Sequence, residues 1–187
     1  MVNSMAEEKK LNGVDVAYVE DTIKAIEQTP ELASFKFRVK NRWLDCGHSR
    51  AMIEGFYGAN QEHVRNEPFV LDADEPPVLA GKDLGPNPVE FLLRGLAGCM
   101  TNTMVYHAAL RGIRIEELEA ELEGDIDLRG FLGLSEDVRQ GYENIRITFK
   151  VKTDAENLDR LKALSKFSPV YDTVTRGTKV ETVIQAK

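Results

Sequence analysis

The amino-acid sequence predicts an α+β fold, and three observations carry that reading. One long segment, Asn87 to about Arg111, has the start and stop signals of a helix. Runs of apolar–polar alternation lie on both sides of it. Those runs are grouped and separated by the one long helix, which suits antiparallel sheets with helices better than a parallel βαβ series. With 187 residues, 42% of them hydrophobic and 29% charged, the chain has the length and composition of one globular domain. It can bury a sizeable core without disulfides or metals.

In chain order, residues 1–12 are polar and expected to be mobile. Val16, Val19, Ile23 and Ile26 recur at helical spacing and predict an amphipathic helix from Val14 to Gln28, ended by Thr29-Pro30. Phe35, Phe37 and Val39 alternate with Lys36, Arg38 and Lys40, the pattern of a strand with one wet face. A second strand is expected from Ser49 to Phe56, after a Cys46-Gly47 turn. Tyr57 to Pro86 reads as a long loop holding a short strand at Phe69–Leu71. Asn87-Pro88-Val89-Glu90 then combines an N-cap, a proline at the first helical position and an acid able to reach back to the cap. The helix it opens stops at Gly112.

Between Ile115 and Leu128, Leu118, Ala120 and Leu122 alternate with four glutamates, Glu117, Glu119, Glu121 and Glu123. Ile145, Ile147, Phe149 and Val151 alternate with Arg146, Lys150 and Lys152. One outer face is acidic and the other basic, so these two strands are predicted to pair. Thr153-x-x-Glu156 predicts a capping box on a helix to about Lys166. Ser168-Pro169 predicts another short helix, and Thr178 to Gln185 a final strand.

Composition narrows the function classes. A net charge of −7 opposes non-specific binding to nucleic acid or anionic membrane. Two cysteines, Cys46 and Cys99, are too few for a disulfide framework, and the first residues lack an apolar core of signal-peptide length. The apolar stretch from Phe91 to Ala109 is interrupted by Arg94, Asn102 and His107 and does not read as a membrane span. A reducing cytoplasm is the expected setting. His48, His63 and His107 show no metal-ligand spacing. Gly47-His48-Ser49 does not fit a nucleophile elbow, and no glycine-rich phosphate loop is present. No metal or cofactor is expected.

On the long helix, Leu93, Leu96, Met100 and Met104 share a core face, and Gly95, Cys99, Asn102, Thr103 and Tyr106 share the adjacent stripe. Glycines inside a helix cost about 1 kcal/mol each relative to alanine, so Gly95 and Gly98 predict a close backbone approach there. Cys99 on that stripe is either a small buried hydrophobe or a nucleophile. The second role needs a neighbouring cation, because the thiolate is the reactive form. Phe131, Leu132 and Leu134, in the segment from Asp127 to Tyr142, predict either a hairpin loop packed on its own domain or an apolar lip over a pocket or dimer contact.

From Gly85-Pro-Asn-Pro-Val-Glu-Phe-Leu-Leu-Arg-Gly-Leu-Ala-Gly to Cys99 the sequence resembles the OsmC/Ohr family. The likeness continues through Tyr106 to Gly112, Gly124 to Gly133 and Ser168-Pro-Val. It covers about residues 33–187, leaving 1–32 as an N-terminal extension with its helix. The resemblance implies an α+β fold of antiparallel sheets around long central helices, built as an intertwined homodimer. It also implies thiol-dependent reduction of organic hydroperoxides, with Cys99 as the peroxidatic cysteine. Arg50 is the expected activating cation and Arg42 the alternative; Glu90 is the expected carboxylate that orients the arginine.

Two positions depart from the family pattern. Ser168 stands where the family has a resolving cysteine, and Cys46 replaces it only if the fold brings it near. Val89 stands where the family's glutamate follows Asn-Pro, and Glu90 comes one residue later. The expected function is therefore a one-cysteine hydroperoxide reductase served by an external thiol. The alternative is an OsmC-like dimer that has lost peroxidase activity and holds a small apolar ligand.

Overall fold

The computed structural model describes residues 10–186. Nearly all of the polar segment expected to be mobile, residues 1–9, lies outside them. Two compact units divide the chain: Asp15–Leu92, with Lys10, forms the first, and Leu11–Val14 with residues 93–186 forms the second. The antiparallel sheets and helices give the expected α+β class.

Strands β1 (Lys10–Leu11) and β2 (Val14–Asp15) form a minimal ladder. The turn between them is Asn12-Gly13, both with positive φ, the pairing a two-residue hairpin turn favours. Within the second unit Asn12 also acts as a clasp. Its amide donates to the Ile113 carbonyl at 2.9 Å and accepts from the Ile115 N–H at 2.8 Å.

In the first unit, α1 (Val16–Gln28) starts where the Asp15 carboxylate accepts the Tyr18 N–H, and ends at Thr29 as expected. The strand expected at Phe35–Val39 is two short strands, β3 (Lys36–Phe37) and β4 (Lys40–Asp45), both antiparallel to β5 (His48–Gly58). The Cys46-Gly47 turn is present, with Cys46 at φ 45°. The long loop expected after Tyr57 is instead a 13-residue strand, β6 (Gln61–Ala73), paired with β5. Ala59 and Asn60 make its turn, at φ 48° and 60°. This is the two-residue hairpin geometry, with alanine where asparagine or glycine would advertise it. The register breaks between Ile53, which pairs with Phe69, and Gly55, which pairs with Val64, so that residues 65–68 of β6 bulge out against Glu54 alone.

Helix α2 (Pro88–Ala109) fulfils its sequence signals. The Asn87 side chain accepts the Val89 N–H at 2.9 Å, and the Glu90 carboxylate accepts the Asn87 N–H at 2.8 Å, a reciprocal cap. Gly112, at φ 67°, follows its end. The unit boundary falls inside this helix, after Leu92.

In the second unit, β7 (Glu117–Asp125) pairs antiparallel with β8 (Asn144–Lys152), setting Glu117 opposite Lys152, Glu119 opposite Lys150 and Glu123 opposite Arg146. Ion pairs cross the ladder from Lys152 to Glu117, Lys150 to Glu121, and Arg146 to Glu123 and Asp125. Between the strands lies a short turn of helix, α3 (Leu128–Phe131), capped by Asp127. Phe131, Leu132 and Leu134 there are exposed.

Helices α4 (Leu158–Ser165) and α5 (Pro169–Arg176) follow. The capping box expected at Thr153 is absent: its hydroxyl donates to the Arg114 carbonyl, and a 3₁₀ turn at Ala155–Asn157 opens α4. The final strand expected at Thr178–Gln185 is also absent. That segment has no regular structure, and Val180, Val183 and Ile184 are exposed; an extended segment needs a neighbouring strand to satisfy its backbone. The core of the unit is Met104, Ala108, Ile113, Leu161 and Leu164, backed by Ile115, Leu118, Phe149 and Val151.

Candidate functional site

Cys99 sits at the middle of α2, in the second unit, as a free and partly buried thiol. Leu96, Met100, Met104 and Ala108 anchor the opposite face of the helix in the core. On the stripe that carries the thiol, Gly95 and Asn102 are exposed and Tyr106 half-exposed. The close approach predicted at Gly95 is not made by the described residues: a Cβ there would meet none of them within 4 Å. Gly98 does have a neighbour. A Cβ at that position would stand 2.5 Å from Nη1 of Arg94, so the glycine lets this guanidinium fold back along the helix towards the turn that holds Cys99.

Ser168 is fully buried (0% exposed), and its Oγ accepts the Tyr171 N–H at 3.1 Å as the cap of α5. A hydroxyl committed to a cap, in a residue that cannot form a disulfide, leaves no resolving group at this position. At the other end of α2's last turn, the His107 ring stacks on Phe167 with centroids 4.8 Å apart. Its Nδ1 lies 3.0 Å from the Arg111 guanidinium. Burial first, and then the Arg111 charge, hold the His107 imidazole below its ordinary pKa.

Arg50, Glu90 and Cys46 belong to the first unit. Arg50 and Asp72 are cross-strand partners on β5 and β6. Arg50 grips the carboxylate with Nε at 2.9 Å and Nη2 at 3.2 Å, and His48 Nε2 lies 2.9 Å from the same Asp72 Oδ1. Hydrogen bonding to Arg50, then to His48, holds the Asp72 carboxyl below its usual range, and the same pairing raises Arg50. The carboxylate that orients Arg50 is therefore Asp72, while that of Glu90 is engaged by the Asn87 backbone. Arg42, the alternative cation, lies opposite Arg50 on β4. Cys46 is exposed in its turn, and its thiol lies 3.1 Å from the Ala80 carbonyl.

Asp74 went unnoticed in the sequence and is, among the described residues of the first unit, the most buried charge, at 1% exposure. Burial works against its charged form, but the backbone N–H groups of Glu75, Leu84 and Lys82 outweigh it and hold the carboxyl below its ordinary value. This carboxylate organises the loop between β6 and α2. Asp72 and Asp74 lay in the run Leu71-Asp-Ala-Asp-Glu-Pro-Pro, which reads locally as a loop; the β5–β6 register gives Asp72 its partner, and the fold of the following loop gives Asp74 its three N–H donors.

Two open depressions lie near these residues, one in each unit. One, of about 510 Å³ in the second unit, is lined by Met100, Met104, Ile147, Phe149 and Leu161, with Lys162 and Lys166 among its polar residues. The other, of about 500 Å³, lies in the first unit on the β5–β6 hairpin. Among the described residues, no cluster of three or more histidine, cysteine or acidic side chains could hold a metal ion, and no helix is long and apolar enough to cross a membrane.

An α+β architecture whose longest helix carries a free thiol defines a class of small cysteine-bearing proteins, and the comparisons identify which. The family model described as OsmC-like protein matches residues 81–183, and the chain belongs to that family. Solved structures agree in fold. An OsmC-like protein from Mycoplasma pneumoniae superposes with TM-score 0.56 at 20% identity, covering 75% of this chain and 87% of its own. A putative osmotic stress induced and detoxification response protein from Psychrobacter arcticus 273-4 gives 0.54 at 16%, covering 72% and 85%. An organic hydroperoxide resistance protein OsmC from Legionella pneumophila gives 0.51 at 15%, covering 74% and 88%. No curated protein sequence matches the chain.

Proposed function

We propose that the protein is a thiol-dependent hydroperoxide reductase that works with a single peroxidatic cysteine, Cys99. The observation that carries this reading is the position of Cys99. The thiol lies within the family-matched residues, in the middle of a 22-residue helix, beside Gly95, which no described residue approaches. In the reaction the Cys99 thiolate attacks the terminal peroxide oxygen. The O–O bond breaks, the alkoxide leaves and takes a proton to become the alcohol, and sulfur is oxidised to the sulfenic acid. A small external thiol condenses with it, releasing water and forming a mixed disulfide. A second thiol then frees Cys99, leaving the disulfide of the reductant. This route needs no resolving cysteine, in keeping with Ser168.

Arg50 is proposed as the cation that supports the thiolate. Asp72 fixes its Nε edge and leaves Nη1 available. Glu90 is proposed to act through the helix, fixing the start of α2 and so the position of Cys99. A homodimer is proposed to cover the Gly95–Cys99–Asn102 face and to give the C-terminal segment a strand partner. Residues 33–187 then form the domain and 1–32 an extension. The proposed setting is the cytoplasm, where reducing thiols are abundant. Turnover of cumene hydroperoxide with dithiothreitol tests the proposal: Cys99→Ser abolishes it, and equal rates for the two proteins would end it.

A second reading has its own observation, the apolar depression beside Met100 and Met104. In that reading the family fold holds a small apolar molecule without turnover. Co-purified ligand in native mass spectra, with no peroxide consumption, would favour it.

A further inference from the structure

The β5–β6 hairpin holds an arginine with no ionic partner. Arg65 lies in the bulge of β6, with its guanidinium 5.6 Å from the Phe56 ring centroid and 5.1 Å from that of Phe69. Its Nη1 is buried and has no hydrogen-bond acceptor, and among the described residues Arg65 makes no ion pair. A buried donor left unsatisfied is costly, and the structure offers nothing of its own to satisfy it. The neighbouring cations differ: Arg38 is held bidentately by Glu62, and Lys40 by Glu54. All five of these charged side chains line the same depression of about 500 Å³, so its charges cancel except for one positive charge at Arg65. The remaining lining includes Val39, Met52, Val64 and Pro68.

We propose that this depression binds a small monocarboxylate with an apolar body. Arg65 lines the depression with both rings beside its guanidinium carbon, and a guanidinium matches a planar carboxylate with two parallel hydrogen bonds. The flanking Glu54 and Glu62 select against a dianion such as a phosphate monoester, which would face two carboxylates with one free cation to offset them. Val39, Met52, Val64 and Pro68 supply the surface for the hydrocarbon part. Gly55 lines the depression opposite Val64, at the edge of the bulge: a Cβ there would fall 2.3 Å from the His63 carbonyl oxygen, so a side chain at this position would push the two strands apart.

The test is an NMR titration of the full chain with octanoate, with octanol as the uncharged control. Octanoate is expected to shift the Arg65 Nε–H signal and the Met52 and Val64 amides, with at least tenfold weaker binding of octanol. Arg65→Gln should lose at least tenfold in octanoate affinity and Arg65→Lys less. Val64→Asp changes a side chain that is 84% exposed, so it leaves the fold intact while placing a competing carboxylate in the site; it should also lose at least tenfold. An unchanged signal from the Trp43 indole N–H, which donates to the Cys46 carbonyl in the same unit, shows that each variant is folded. Equal binding of octanoate and octanol would overturn the proposal. So would unchanged affinity in Arg65→Gln or Val64→Asp, shifts confined to the Met104–Phe149 depression, or no shift at millimolar octanoate.

Discussion

In the second unit Met104, Ala108, Ile113, Leu161 and Leu164 bury one another beneath a two-stranded sheet, whereas in the first unit Phe37 (73% exposed) and Trp43 (69% exposed) stand on a sheet in water. The second unit has a core of its own. The first is held by ladder hydrogen bonds, by cross-strand ion pairs such as Arg38–Glu62, and by one buried carboxylate, Asp74. Contiguous exposed apolar patches are the ones that mark interaction surfaces. The difference teaches that one unit is organised around a buried core, and the other by strand pairing, polar contacts and a partly exposed cluster of Phe35, Phe37, Phe56 and His63 rings.

The largest expected effect would break that comparison if it failed. Leu161→Ala should destabilise by about 3 kcal/mol in urea denaturation, as buried leucine truncations do. Phe37→Ala, measured at low protein concentration, should stay within about 0.5 kcal/mol. Comparable losses at both sites would mean that the first unit has a hidden core. Next in size, Asp74→Ala should lower Tm by roughly 10 °C, because three backbone N–H groups lose their acceptor at once. The sign of its pH dependence follows from its depressed carboxyl. The contribution is full above the unfolded aspartate value and is lost as pH falls through the native one. A wild-type acid-unfolding profile steeper than that of Asp74→Asn checks this.

Asp72→Asn should leave Tm nearly unchanged while lowering peroxide turnover about tenfold, since it releases Arg50 without removing it. Unchanged turnover would detach Arg50 from the chemistry. The smallest effect concerns His107. Its native imidazole titrates below the unfolded value of about 6.5, so the unfolded chain binds the proton first and stability falls as pH drops below that value. A decline of a few degrees in Tm from about pH 7 to about pH 5, absent in His107→Gln, is the expected result.

How much of this was legible in the sequence depended on whether the information was local. The cap of α2 and its glycine stop are short-range signals, and both hold. The β7–β8 pairing was readable because opposite charges alternate on two amphipathic strands. Strand β6 was missed because its turn uses Ala59 and its segment, bulged at Arg65 to Pro68, shows little alternation. The Thr153 capping box was overruled by a long-range bond to Arg114. At the candidate site, Cys99 and its small-residue stripe were visible from helical spacing. The partner of Arg50 was not, because Asp72 meets it only through the hairpin register. Gly95 and the C-terminal segment carry signals for contacts that the described residues do not make.

The central claim concerns a single sulfur atom, and its chemistry can be caught directly. The chain is treated with one equivalent of cumene hydroperoxide in the presence of dimedone, digested and read by mass spectrometry. The account predicts a dimedone adduct on Cys99, none on Cys46 and none in Cys99→Ser. An unmodified Cys99 thiol, or an adduct confined to Cys46, would contradict it.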